Sequence, residues 1–88
     1  GLYFQLSEHA VSQAMRIRDA FKAKGYAFFV DSPSNQQFPI LDNDTMSRLA
    51  ENFLFSVWQK IDESHTAVRF CTSWATDEKA VDSLINAI

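Results

Sequence analysis

The chain has 88 residues, enough for one domain with a thin core. It is 47% hydrophobic and 22% charged, with a net charge of −3, so it reads as an ordinary globule rather than a disordered or fibrous chain. Its eight Lys and Arg residues are scattered, which leaves no basic footprint for nucleic acid. No apolar run approaches membrane-spanning length and no secretion signal is present. The single cysteine, Cys71, allows no disulfide within the chain and suits a reducing, cytoplasmic setting. Twelve aromatic residues, eight of them Phe, are more ring area than so small a core usually hides.

Residues 2–24 carry a helical pattern. Leu6, Ala10, Ala14, Ile17 and Phe21 recur every three or four positions, with Glu8, Ser12, Arg16, Asp19 and Lys22 on the other face. Gly25 suits the C-terminal end. No capping residue precedes Leu2, and the consecutive Leu2, Tyr3 and Phe4 cannot share one face. These residues read as native, and as a helix that is part of something longer or covered on a second side. That apolar side is expected to drive self-association.

"YAFFV" (26–30) has strand composition, and "DSPSN" (31–35) is a cluster of turn formers. "QFPIL" (37–41) is a second apolar run in which Pro39 predicts an edge or a bulge. "DND" (42–44) supplies N-caps for a short helix marked by Met46, Leu49, Ala50 and Phe53. "FSVWQKI" (55–61), a polar turn at 62–65, and "AVRFCTS" (67–73) read as a strand pair. Thr76 is placed to cap a last helix whose apolar face is Ala80, Val81, Leu84, Ile85 and Ile88. The order α-β-β-α-β-β-α predicts a single α+β domain over 1–88, a small, mostly antiparallel sheet with helices packed on one face.

Alternation in 67–73 puts Val68, Phe70 and Thr72 on one side and Ala67, Arg69, Cys71 and Ser73 on the other. Arg69 is always charged and its fork matches a carboxylate. Either it binds a carboxylate ligand, or it is a half-exposed strand arginine paired with a local acid. From the residues alone the second is the plainer reading. His9 reads as a solvated or partly packed helix residue and His65 as an exposed turn residue. Cys71 has no evident base and reads as a packed strand thiol. Asn35, Gln36 and Gln37 suit a held loop. One Cys and two separated His make no metal set, and two glycines make no phosphate loop.

The runs "DSPSNQQFPIL" (31–41), "VWQKIDESHTAVRFCTSWAT" (57–76) and "DEKAVDSLINAI" (77–88) together resemble the C-terminal small domain of the low-specificity threonine aldolases and β-eliminating lyases, a group of fold-type-I pyridoxal-phosphate enzymes. "GLYFQLSEHA" is similar to the helix that leads into that domain. The resemblance implies the fold already read from the pattern. It implies that Arg69, in "VRFCTSW", binds the α-carboxylate of the amino-acid substrate. Family members often follow this strand with Thr-His, where this chain has Thr72 and Ser73. The resemblance also implies that the Schiff-base lysine, the aspartate on the pyridine nitrogen and the phosphate loop belong to a large domain without counterpart here. The chain is therefore expected to hold no cofactor itself, to partner that large domain, and to be inactive alone as an aldolase. A stand-alone interaction or oligomerisation module is the other reading.

Overall fold

The computed structural model describes the backbone of residues 2–88 and the side chains from Ser7 onward. The apolar start formed by Leu2, Tyr3 and Phe4 therefore has its side chains outside the described residues. The elements are α1 (Leu2–Ala23), β1 (Gln36–Gln37), β2 (Ile40–Asp42), α2 (Asn43–Ala50), β3 (Ser56–Lys60), β4 (His65–Cys71) and α3 (Glu78–Ala87). All strand pairs are antiparallel, and β1, β2 and β3 each pair with β4. The helices cover one face, as the pattern predicts. Ile17 and Phe21 of α1, Leu41, Leu49, Val68, Phe70, and Val81 and Leu84 of α3 form the core.

The end of α1 follows directly from Gly25. The Gly25 N–H bonds to the Lys22 carbonyl at 3.0 Å and the Tyr26 N–H to the Phe21 carbonyl at 3.1 Å. This is a Schellman ending, with Gly25 at φ 87. The Tyr26 ring meets the Phe21 ring edge-on at 5.4 Å, which supplies the hydrophobic contact that such endings carry. The chain thereby turns back over the core instead of continuing along the helix.

Pro39 shapes the next segment differently from expectation. It lies between β4 and the 27–29 segment, not at an outer edge. Its carbonyl accepts from the Val68 N–H at 3.0 Å, but it has no N–H to return the bond. That missing bond splits one extended run into β1 and β2. The expected strand at 26–30 reduces to one bridge, Phe28 to Pro39, flanked by bonds from Phe29 N–H to Phe38 O (2.8 Å) and from Ile40 N–H to Ala27 O (2.9 Å).

Three boundaries also move. The strand read at 67–73 runs from His65 to Cys71; just beyond its end the Thr72 N–H bonds to the Asn35 carbonyl at 3.0 Å, in the register that sets Gln36 opposite Cys71. α2 stops before Phe53, whose N–H bonds back to Leu49 O at 3.0 Å while its ring packs on the core from a turn. The cap of α3 is Asp77, whose carboxylate accepts from Lys79 N–H at 2.9 Å; the Thr76 hydroxyl instead accepts from Ser73 N–H.

α2 is capped as read, by Asp42. Its carboxylate accepts from the Thr45 hydroxyl at 2.7 Å and the Thr45 N–H at 3.1 Å. The Thr45 hydroxyl first, and then its N–H, hold the Asp42 carboxyl below its ordinary value.

Two stability outcomes follow. A Cβ at Gly25 would meet no atom within 4 Å, so Gly25→Ala adds only backbone strain. Chemical denaturation should show a loss of about 1 kcal/mol. Asp42→Ala should cost about 1 kcal/mol at pH 7 through the lost cap. Because the folded-state pKa is depressed, this contribution is complete above the unfolded value of about 4 and is lost as pH falls through the folded value. Urea titrations at pH 7 and at about pH 2.5 should therefore show the wild-type advantage shrinking in acid.

Candidate functional site

Arg69 lies midway along β4, with Val68 and Phe70 on either side of it buried in the core. Alternation then forces its side chain onto the face without helices. The pairing places Ser56 of β3 directly across from it. On the other edge, the register that joins Gln37 to Phe70 and Ile40 to Ala67 sets Phe38 opposite Arg69.

β3 is irregular at this point. Its register steps from Val57 opposite Val68 to Gln59 opposite Ala67, so Trp58 is an extra residue in a β-bulge. The Trp58 ring centroid stands 5.6 Å from the Arg69 guanidinium carbon and 5.0 Å from the Phe38 ring. The guanidinium thus has an aromatic plane on one side, itself backed by a second ring. An open depression of about 410 Å³, lined by Leu54, Phe55, Ser56, Arg69 and Cys71, adjoins it.

Electrostatically, Arg69 is left short. Its Nη2 reaches the Ser56 hydroxyl only at 3.4 Å, and its Nε is buried without an acceptor. Among the described residues the ion pairs are Arg16–Asp82, Arg18–Asp19 and His65–Asp62, and none includes Arg69. The alternative of a strand arginine paired with a local acid is therefore not what these residues form. A buried N–H without a partner costs about 1–3 kcal/mol. A half-exposed cation–π contact returns only about 0.5–1 kcal/mol. The guanidinium consequently has more to gain from a planar anionic acceptor than it gains from its present neighbours.

The strand end beyond Arg69 is pinned. Asn35 Nδ2 donates to the Thr72 carbonyl at 2.7 Å, and the Thr72 hydroxyl donates to the Ala10 carbonyl of α1. Gln37 is fully buried and donates to the carbonyls of Ser32 (2.8 Å) and Ser34 (3.2 Å), so the amide cluster holds the 32–35 loop as its composition suggests. His9 is partly buried and its Nε2 donates to the Thr76 carbonyl at 2.8 Å, tying α1 to the turn before α3. His65 is half-exposed, with Nδ1 near Asp62 (3.1 Å) and Ser64 (2.8 Å). Cys71 departs from expectation. It is exposed, because it is the last strand residue on the Arg69 face and no helix covers it there.

The lysines of the chain, Lys22, Lys24, Lys60 and Lys79, are all exposed, and the positive-φ glycine is spent on ending α1. Among the described residues no group of three His, Cys, Asp or Glu side chains is placed to hold a metal. Among the described residues no helix is long and apolar enough to cross a membrane.

Helices on one sheet face and a cation on the bare face give the architecture of a small α+β domain. Among solved structures, the chain is similar to the threonine aldolase of Leishmania major, with 32% identical residues and a TM-score of 0.93. The match covers 97% of this chain and 25% of that one, so the chain spans about a quarter of the length of this relative. No protein-family model and no curated protein matches the sequence. The resemblance read in residues 31–41, 57–76 and 77–88 is thus borne out: the chain has the fold of a small domain of a threonine aldolase.

The sequence identified Arg69 but not Trp58, Ser56 or Phe38, which complete its surroundings. Trp58 was visible only as one residue of a strand, and its role depends on a bulge and on which strands pair.

Proposed function

We propose that this chain is the C-terminal small domain of a pyridoxal-phosphate-dependent, threonine aldolase-like carbon–carbon lyase, and that Arg69 binds the α-carboxylate of its amino-acid substrate. The observation that carries this reading is the Arg69 guanidinium itself, half-exposed on the face away from the helices and without an acidic partner among the described residues. A carboxylate supplies the missing acceptor with two charge-assisted hydrogen bonds. The site is half a pocket, and the larger domain supplies the other half together with the cofactor and its lysine. The likeness to a quarter of the Leishmania major threonine aldolase supports that division.

The exposed apolar residues fit the same reading. Leu54 is 98% exposed and Trp74 67%, and Val57, Trp58 and Ile61 add to this surface. Such exposure suits a face covered by a larger domain. In the isolated chain it would drive homo-oligomers instead, so the apolar surface supporting self-association lies around β3. The exposed, unpaired Cys71 suits a reducing cytoplasm.

In the full-length enzyme, Arg69→Lys should lower kcat/KM by roughly tenfold to a hundredfold, because an ammonium cannot replace the bidentate fork. Steady-state kinetics with threonine reads this, and an unchanged kcat/KM removes Arg69 from the site. The isolated 88 residues, mixed with pyridoxal phosphate and threonine, should release no acetaldehyde above the protein-free rate. Clear turnover would contradict the assignment of catalysis to the larger domain. Light scattering should show the isolated chain associating as concentration rises.

A further inference from the structure

Trp58 sits at a bulge of β3 and stands beside a cation. A regular β3 would keep Trp58 within the ladder, opposite Ala67; the register step takes it out of that ladder. Its ring lies 5.6 Å from the Arg69 guanidinium carbon and is backed by Phe38 at 5.0 Å, so it has a support of its own. Phe38 is buried, whereas Trp58 remains 48% exposed, so the ring is not held there by complete burial. The Arg69 head has little else to fix it. Its best polar contact within the domain is the 3.4 Å approach to Ser56, and it has no acidic partner among the described residues. A long side chain with so few bonds would sample several rotamers and lose entropy on binding an anion.

We infer that Trp58 is a positioning residue for the substrate carboxylate: its ring is the platform that holds the Arg69 guanidinium in one place for that anion. This rests on the carboxylate reading of Arg69 given above. The ring does not touch substrate in this account. It acts by pre-ordering a contact made equally in the ground and transition states, so its loss appears in KM and not in kcat. A planar aromatic face is required, and apolar bulk alone does not serve.

The test uses the full-length enzyme and four variants: Trp58→Phe, Trp58→Leu, Arg69→Lys and the Trp58→Leu/Arg69→Lys pair. Trp58→Leu keeps apolar packing on Phe38 without a π face. It should raise KM for threonine roughly 3- to 30-fold, with kcat within about twofold of wild type. Trp58→Phe should restore KM to within about threefold of wild type, since Phe offers a smaller but planar face. The double variant should be no weaker than Arg69→Lys within about twofold, because Trp58 acts only through the guanidinium. A wild-type KM in Trp58→Leu overturns the inference, as does a double variant whose losses multiply. An Arg69→Lys enzyme of unchanged kcat/KM overturns the carboxylate reading itself. Should Trp58→Leu not fold, Trp58→Phe together with Trp58→Tyr carries the test: a tenfold KM increase in both would show that a planar ring is not what the site uses.

Discussion

β1, β2 and β3 all pair with the one strand β4, and this dependence organises the molecule. β4 must bury Val68 and Phe70 under the helices while carrying Arg69 between them. Burying those two apolar side chains is worth about 1.5–3 kcal/mol each. A slip of one residue would expose both and drive a guanidinium into the core. The register is therefore determined by both sides of the strand at once. Once it is set, Ser56 and Phe38 stand across from Arg69 without further choice. The contacts of Asn35 and Thr72 then fix where the strand ends, and bind it to α1.

The same register makes the two faces chemically unlike. The helix face is closed by aliphatic and aromatic packing, including the Phe21 and Phe70 rings at 5.5 Å. The other face holds a cation, a bulged tryptophan, an exposed thiol and several exposed apolar side chains. A cation with a buried N–H and no acceptor is a cost in an isolated domain and an asset in a shared site. The energy not recovered inside the domain becomes available to an anionic ligand. Cation–π contact with Trp58 is too weak to remove that preference, and strong enough to orient the head.

Much of this fold was legible because it rests on local rules. The apolar spacing of Ala10, Ala14, Ile17 and Phe21 and the glycine that follows define α1 and its ending. Asp42 caps α2 as its position suggests. The alternation around Arg69 placed it on the correct face. The misses share a different cause. The run at 26–30 has strand composition, but pairing needs a partner, and its neighbour is broken at Pro39. Cys71 was read as packed because strand thiols usually are; whether a helix covers that face is a tertiary fact. Trp58 could not be linked to Arg69 from spacing, because eleven positions separate them and a bulge alters the register on the way. The resemblance to threonine aldolases supplied the role proposed for Arg69, which periodicity left as a bland surface reading.

The central claim is that Arg69, which has no acidic partner among the described residues, binds a substrate carboxylate. A crystal structure of the full-length protein with a bound amino-acid substrate or carboxylate analogue tests this most directly. The account predicts both carboxylate oxygens within about 2.7–3.0 Å of Arg69 guanidinium nitrogens, with the Trp58 ring still beside the guanidinium. A carboxylate bound elsewhere, or an Arg69 fork occupied by an Asp or Glu of the larger domain, would contradict it.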